Sequence, residues 1–390
     1  MSNRQRLDLD QFCGSFPRQA LNARRVAGAL DAPGCQRRTL IDAASINIDK
    51  LGALLTGSSP DRQSPYAISR GNQFEERVTA NGMAEIVSLA RKHLALEIPE
   101  VRQCDLSAAA VKAAHPDTPN HKLNERRVTL TKQKVAEMLR NPLQGHNLIR
   151  HAMTRLTLSG RTVYLEQDVL AFAAEGGIHV VEIKSYPRVD GRADPAKASD
   201  TIRQSAVYVL SLRHLVEEIG AENTVVSSTI LIVLPENLSF TPTAVIHDIE
   251  LAVRRLQRQL ALVATVDDIL DGLPGDLELP GLPGPDADVE EKANAAQRAR
   301  DAIAPIPAKF DGGCVTCPLF AYCRGEADRH GSVARLGQAV AGACGAVSDI
   351  TAALDLASGR RDAANSSEAA VAVSLARGAA AAALAREELR

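Results

Sequence analysis

Asp168, Glu182 and Lys184 are the residues of this 390-residue chain whose types and spacing most directly suggest chemistry. Glu182 and Lys184 stand two apart in an apolar run. On a β-strand both would leave the same face, while Val181 and Ile183 point into a core. Asp168 lies in an earlier run, and Gly176-Gly177 between the two runs reads as a turn. Two carboxylates and an ammonium on adjacent strands can hold a divalent cation through hard oxygen donors and orient a water. Charges also alternate on ordinary solvated strands, so the trio alone leaves that reading open. A second constellation is made of sulfur: Cys314, Cys317 and Cys323 bring three thiols into ten residues. Cys-x2-Cys spacing lets two sulfurs face one metal. In a chain with seven cysteines and no apolar leader, this reads as a metal site and not a disulfide framework.

The elements that must position these groups can be read coarsely. Strands are expected near 162–173 and 178–184. Upstream, a helix starting near Ser69 carries Phe74 and Val78 on one face and stops at Asn81-Gly82, after which helical spacing resumes. Residues 100–155 read as polar and mostly helical. Downstream, a helix is expected from Ser199 to Glu218, with Ser199 or Asp200 as its N-cap. TVVSSTILIVLP (224–235) reads as a strand buried on both faces. Helical periodicity follows from Pro242 to Val263, with Arg254, Arg255 and Arg258 along an exposed side. Gly, Pro and Asp then mark 272–288 as a linker. The alanine-rich end reads as helical and loosely attached, since alanine favours helix but buries little area.

The pattern predicts an α/β fold with helices on a central sheet. Its expected divisions are a helical segment over 1–65, a core over 66–271, a linker with the cysteines over 272–330, and a helical tail over 331–390. Net charge is −2, so any nucleic-acid binding must come from a local basic surface. With no tryptophan, an extensive base-stacking platform is not expected. No apolar run approaches a membrane span, and a cytoplasmic location is expected.

Further residues fall into order around the acids. Glu75 follows Gly71 by four on the upstream helix, and Gln204 and Tyr208 share one face of the downstream helix. Together with Asp168 and Glu182-x-Lys184, they resemble the PD-(D/E)xK nuclease superfamily, in its RecB-like branch. The resemblance implies a restriction-endonuclease-like core and Mg²⁺ or Mn²⁺ held by Glu75, Asp168, Glu182 and the Ile183 carbonyl. It implies that Lys184 activates water and that Gln204 and Tyr208 position a DNA strand. Two departures stand out: Gln167 occupies the place of the proline that names the superfamily, and the first motif carries Glu where His is common. Glu76 and Glu166 are alternative ligands to Glu75 and Asp168.

The cysteines are similar to those of that branch's iron–sulfur members, the CRISPR-adaptation and AddAB-type nucleases. In these, one cysteine precedes the nuclease domain and three follow it. Cys35, followed by Gln36-Arg37-Arg38, resembles the upstream Cys-Pro-Arg motif without its proline. The implied set is Cys35, Cys314, Cys317 and Cys323 around a [4Fe–4S] cluster. By residue type alone, Cys13, Cys104 and Cys344 also qualify as the fourth ligand, although Cys344 reads as core packing. Zn²⁺ would use the same four thiolates. Arg37, Arg38, Arg254, Arg255 and Arg258 are candidate phosphate contacts.

The function this implies is a deoxyribonuclease acting on single strands or duplex ends, alone or with a helicase, repair or defence-complex partner. The competing readings are a non-catalytic nuclease-fold scaffold and a zinc-stapled interaction protein.

Overall fold

A computed structural model of the chain describes residues 6–58, 65–98, 100–173, 177–222, 225–237, 239–310 and 312–388. In chain order, α1 (Leu9–Cys13), α2 (Ala23–Leu30), α3 (Gln36–Ala43) and α4 (Ile48–Thr56) precede the long α5 (Pro65–Leu94). Then come β1 (Gln103–Asp105), α6 (Ala108–Ala114), α7 (Leu123–Arg140), β2 (Leu148–Leu158), β3 (Arg161–Ala173) and β4 (Gly177–Ile183). β5 (Arg188–Val189) and β6 (Arg192–Ala193) pair as a small antiparallel ladder before α8 (Pro195–Glu218). β7 (Thr229–Pro235), β8 (Pro242–Asp248) and α9 (Glu250–Leu260) follow. The rest is helical: α10 (Val266–Asp271), α11 (Val289–Ile303), α12 (Phe320–His330), α13 (Gln338–Cys344), α14 (Ile350–Ala357) and α15 (Ser366–Glu388). Among the described residues, no helix is long and apolar enough to cross a membrane.

The chain divides into a sheet unit, Ala20–Leu30 with Asp61–Val263, and a helical unit, Met1–Gln19, Asp31–Pro60 and Ala264–Arg390. This is not the linear division expected from the sequence, and the reason is apolar burial. Phe12, Leu40, Ile41 and Leu51 share one core with Ile269, Leu279, Ile303 and Ile306. Segments more than two hundred residues apart therefore bury each other's apolar faces, which neither could do alone. α2 belongs to the sheet unit instead, where Val26 and Leu30 are buried with Leu212 and Val253.

Six strands form a mixed sheet in the order β1-β2-β3-β4-β7-β8. The β1–β2 and β4–β7 pairs are parallel and the other pairs antiparallel. One face packs under α8, with Leu170, Val180, Ile230 and Ile232 against Val207, Leu210 and Leu212. On the other, Phe74, Val78 and Ile86 of α5 pack on Val169, Val181, Leu231 and Val233. β7 is buried on both faces, as the run 224–235 predicts. Each such aliphatic side chain removed from water contributes roughly 1.5–3 kcal/mol.

Several expectations are corrected. Residues 148–158 form β2, not helix, and β1 also lies in the stretch read as helical. Pro242–Asp248 is a strand, pairing with β7 over its full length, and the helix starts only at Glu250. α8 starts four residues before Ser199; Asp194 caps it by accepting from the Lys197 N–H at 2.9 Å. The stop at Asn81-Gly82 is present as a break in α5, with Asn81, Gly82 and Met83 all left-handed. The tail is not merely tethered: Val371 of α15 is buried with Cys344 and Ile350.

Of the expected Gly-Gly turn, Gly176 lies outside the described residues. Gly177 opens β4 with φ +76°, and a Cβ there would come within 2.5 Å of the Val225 carbonyl oxygen. Only glycine suits both demands.

Candidate functional site

Asp168 and Glu182 belong to neighbouring antiparallel strands. The β3–β4 ladder pairs Val169 with Val181, so one step further along brings Asp168 opposite Glu182. Like charges directly opposed across a ladder are destabilising. Here Asp168 is half-buried and Glu182 fully buried. Asp168 Oδ2 accepts from the Ile183 N–H at 2.8 Å. Lys184, one residue past β4, keeps its backbone in register by donating to the Val233 carbonyl at 3.0 Å, and its ammonium pairs with Glu182 Oε1. The other oxygen, Glu182 Oε2, is buried without a hydrogen-bond partner.

Strand alternation breaks where Asp168 sits. Leu165 and Leu170, an odd number apart, face the same core layer, as do Ile149 and Ala152 of β2. The β2–β3 register passes from Arg150↔Val169 to Ala152↔Gln167, leaving His151 and Asp168 out of it. His151 takes φ +52°, a left-handed conformation rare for a side-chain-bearing residue. This paired kink re-aims Asp168, and simple period-2 alternation does not foresee it.

Glu75 arrives from the first half of α5. Gly71, one turn earlier, lies against Ser185, just after Lys184, with its Cβ position 3.5 Å from the Ser185 hydroxyl. Glu75 is half-buried while Glu76 is exposed. From α8, Tyr208 is buried and accepts from Gln204 Nε2 at 3.1 Å.

The electrostatics tie these groups together. Burial and Asp168 push the Glu182 carboxyl up to about 8, outweighing the adjacent ammonium. Asp168 is raised by burial despite Lys184 and the Ile183 N–H. Glu75 is raised by burial and by Asp168. Tyr208 is held far above its usual range by burial, then by Glu182 and Asp168. Burial lowers the Lys184 ammonium, but Glu182 and Asp168 more than reverse that. The site therefore holds more carboxyl groups than one lysine can keep ionised. An excess of oxygen donors with an orphaned carboxylate oxygen fits a divalent cation. Among the described residues, no three Asp, Glu, His or Cys side chains already stand close enough to hold a metal ion.

Glu166 is differently engaged. Arg127 Nη2 donates to it at 2.6 Å and His151 Nδ1 lies 3.1 Å away. Its carboxyl is lowered, hydrogen bonds from His151 and Arg127 outweighing burial. Of the alternatives left by the sequence, Asp168 and Glu75 are half-buried, whereas Glu76 is exposed and Glu166 is exposed and taken up by Arg127 and His151. The sequence reading missed Arg127 and His151; recognising 148–158 as a strand would have put His151 beside Asp168. Gln167, in the place of the family's proline, is buried and donates to Thr154 Oγ1 at 3.1 Å.

The sulfur site lies wholly in the helical unit. Cys35, Cys314, Cys317 and Cys323 line one small pocket together with Arg37, Arg38 and Phe310. Cys35 sits at the N-cap of α3, Cys314 and Cys317 in and just after a single 3₁₀ turn, and Cys323 in α12. The other cysteines are elsewhere: Cys13 faces the Phe16 carbonyl, Cys104 is in β1, and Cys344 is core packing beside Val347.

The expected phosphate-contact role of Arg37 and Arg38 is corrected by their burial. Arg37 is bidentate to Glu326, with bonds of 2.9 and 3.2 Å, and its Nη1 also donates to Cys323 Sγ at 3.2 Å. Arg38 pairs with Asp42 at 2.5 Å and reaches Cys317 Sγ at 3.8 Å. Burial raises both thiols, Cys323 to about 11, against the pull of these guanidiniums. Four thiols with two buried cations aimed at their sulfurs fit an anionic, sulfur-ligated group. Arg254, Arg255 and Arg258 stay on the exposed side of α9.

No protein-family model matches the chain, and no curated protein does. Among solved structures it matches the crystal structure of SSO0001 at 10% identity with a TM-score of 0.18, covering 51% of this chain and 87% of that one.

Proposed function

We propose that the protein is a divalent-metal-dependent deoxyribonuclease with a restriction-endonuclease-like sheet unit, and that its four clustered cysteines hold a [4Fe–4S] cluster. The observation that carries the first part is Glu182: a fully buried carboxylate, opposite a second acid, with one oxygen on Lys184 and the other without a partner. A fold gains nothing in stability from that arrangement.

Asp168 and Glu182, with Glu75 and the Ile183 carbonyl, would hold Mg²⁺ or Mn²⁺. When bound, the ion supplies Lewis acidity and a water made nucleophilic near neutral pH. Lys184 is positioned by its acid neighbours to orient that water by hydrogen bonding. Its ammonium can also offset charge growing on the phosphoryl oxygens. Gln204, held by its hydrogen bond to the buried Tyr208, would offer a polar edge beside the acids for one DNA strand. The cysteine quartet would be structural, tying Cys35 to a segment nearly three hundred residues later, a loop whose closure removes much unfolded-state entropy.

A cleavage assay on labelled single- and double-stranded DNA with Mg²⁺ or Mn²⁺ tests the reading. Cutting should depend on the metal and fall by at least ~10²-fold in Lys184→Ala. Equal activity in both proteins would overturn the site, and no activity in either would favour a scaffold.

A further inference from the structure

Arg37 and Arg38 follow Cys35 after the single residue Gln36, and both are turned away from solvent. Burying two adjacent guanidiniums is costly unless their neighbourhood supplies negative charge. Carboxylates supply part of it: Glu326 for Arg37 and Asp42 for Arg38. Each arginine then sends a further N–H to a sulfur, Arg37 to Cys323 and Arg38 to Cys317. The arrangement around Arg37 is fixed on several sides. Its Nε donates to the Ile306 carbonyl at 3.2 Å, and the Tyr322 ring lies 5.5 Å from its guanidinium carbon. Tyr322 in turn donates to Glu326 at 3.4 Å. A guanidinium needed only as a staple to Glu326 would have no reason to spend an N–H on a cysteine.

We propose that Arg37 and Arg38 are positioning residues for the sulfur-bound group, donating to the Cys323 and Cys317 sulfurs so that its negative charge is stabilised within the helical unit. This rests on the reading of the four cysteines as an iron–sulfur site. Hydrogen bonds to ligand sulfurs and nearby charge are among the factors that set the potential of such a cluster. Each donor favours the more negative, reduced state. Removing one lowers the midpoint potential and loosens the cluster. Glu326 works in the opposite sense, since its carboxylate neutralises Arg37. Its removal raises the potential.

The test uses the full chain prepared without oxygen, with iron and sulfide analysis, visible absorption and electrochemical titration of the midpoint potential. Arg37→Gln and Arg38→Gln should each shift the potential downwards and shorten the lifetime of the cluster absorption in air. Glu326→Gln should shift it upwards, and Arg37→Lys, which keeps the charge without the fork, should fall between wild type and Arg37→Gln. A purely structural staple would lower thermal stability in all four variants without opposite potential shifts. Such a result, with a wild-type cluster present, overturns the inference alone. If Arg37→Gln does not fold, the signs seen in Arg38→Gln and Glu326→Gln still decide. A wild-type protein that binds zinc and contains no iron or sulfide overturns the cluster reading and this inference with it.

Discussion

The acid site of the sheet unit and the sulfur site of the helical unit bury charge in opposite ways. In the first, burial raises Glu75, Asp168 and Glu182, Asp168 raises Glu75 and Glu182 further, and Lys184 only partly offsets this at Glu182. In the second, the surplus is of donors: two guanidiniums satisfy two carboxylates and still address two sulfurs. On the proposed reading, the acid site takes a cation and the sulfur site an anionic group. Buried ionic clusters seldom repay their desolvation cost as stability, so both patterns point towards ligands. The difference also concerns rigidity. Glu182 keeps one oxygen unpartnered, whereas Arg37 is bonded to a carboxylate, a sulfur and a carbonyl.

The largest expected effect falls on the acid site. Asp168→Asn keeps the shape but removes a ligand charge, and metal-dependent cutting should drop by about 10³-fold or more, equivalent to ~4 kcal/mol. The same substitution relieves repulsion with Glu182, so the melting temperature without metal should rise. A variant that lost both activity and stability would show that the acids hold the fold together, and the contrast between the two sites would collapse.

Stability should respond in the opposite order. Glu326→Ala leaves a fully buried Arg37 guanidinium without its carboxylate, which costs about 3–5 kcal/mol. Glu166→Ala in the sheet unit also removes the partner of a buried arginine, Arg127. Arg127, however, keeps the Leu106 and His151 carbonyls, and Glu166 is itself substantially exposed. That loss should be only about 1 kcal/mol. Urea denaturation of the two variants beside wild type gives the ranking directly, and equal losses would break it.

How much of this was legible in the sequence varies by element. The strands carrying Asp168 and Glu182, the helix carrying Glu75 with its break at Asn81-Gly82, and the both-faces-buried β7, the Thr229–Pro235 part of the run 224–235, declare themselves through period, glycine placement and β-branched content. β2 does not, because Arg150, His151 and Arg155 interrupt its apolar pattern, and the kink at His151 shifts the inward face by one residue. β8 is an edge strand with a mostly solvent-facing pattern, so Pro242–Asp248 lacked a strand signal. Spacing grouped the three C-terminal cysteines, but nothing local shows that Arg37 and Arg38 point inwards. Their partners Glu326, Cys317 and Cys323 lie nearly three hundred residues away, and charged side chains beside a cysteine read as surface until tertiary burial is known. The division into two units was hidden for the same reason, since it depends on apolar pairs such as Leu40 with Ile303 that share no local pattern.

A smaller effect follows from protonation. In metal-free protein, Glu182 titrates near 8 when folded and near 4.5 when unfolded. Between those values the native state holds a proton that the unfolded state has released. The unfolded state binds fewer protons there, so stability falls as pH rises through the window and levels off on either side. Urea midpoints in EDTA from pH 4.5 to 8 should show that decline. Mg²⁺ favours the ionised carboxylate and should flatten it, as should Glu182→Gln without metal. A slope unchanged in Glu182→Gln would assign the titration to another group.

The smallest expected effect concerns the adjacent acidic pair on α5. Glu75 is half-buried and within electrostatic reach of Asp168, while Glu76 is exposed. Glu76→Gln should leave both cutting rate and melting temperature close to wild type, since exposed substitutions away from special contacts usually change stability by less than about 0.5 kcal/mol. Glu75→Gln should weaken the apparent affinity for Mg²⁺ in the same assay, because it deletes one of the carboxylates offered to the cation. If Glu76→Gln raised the Mg²⁺ requirement and Glu75→Gln did not, α5 would have to turn by one residue, about 100° of helix, when metal binds. The static burial of Glu75 would then mark a resting state and not the working one.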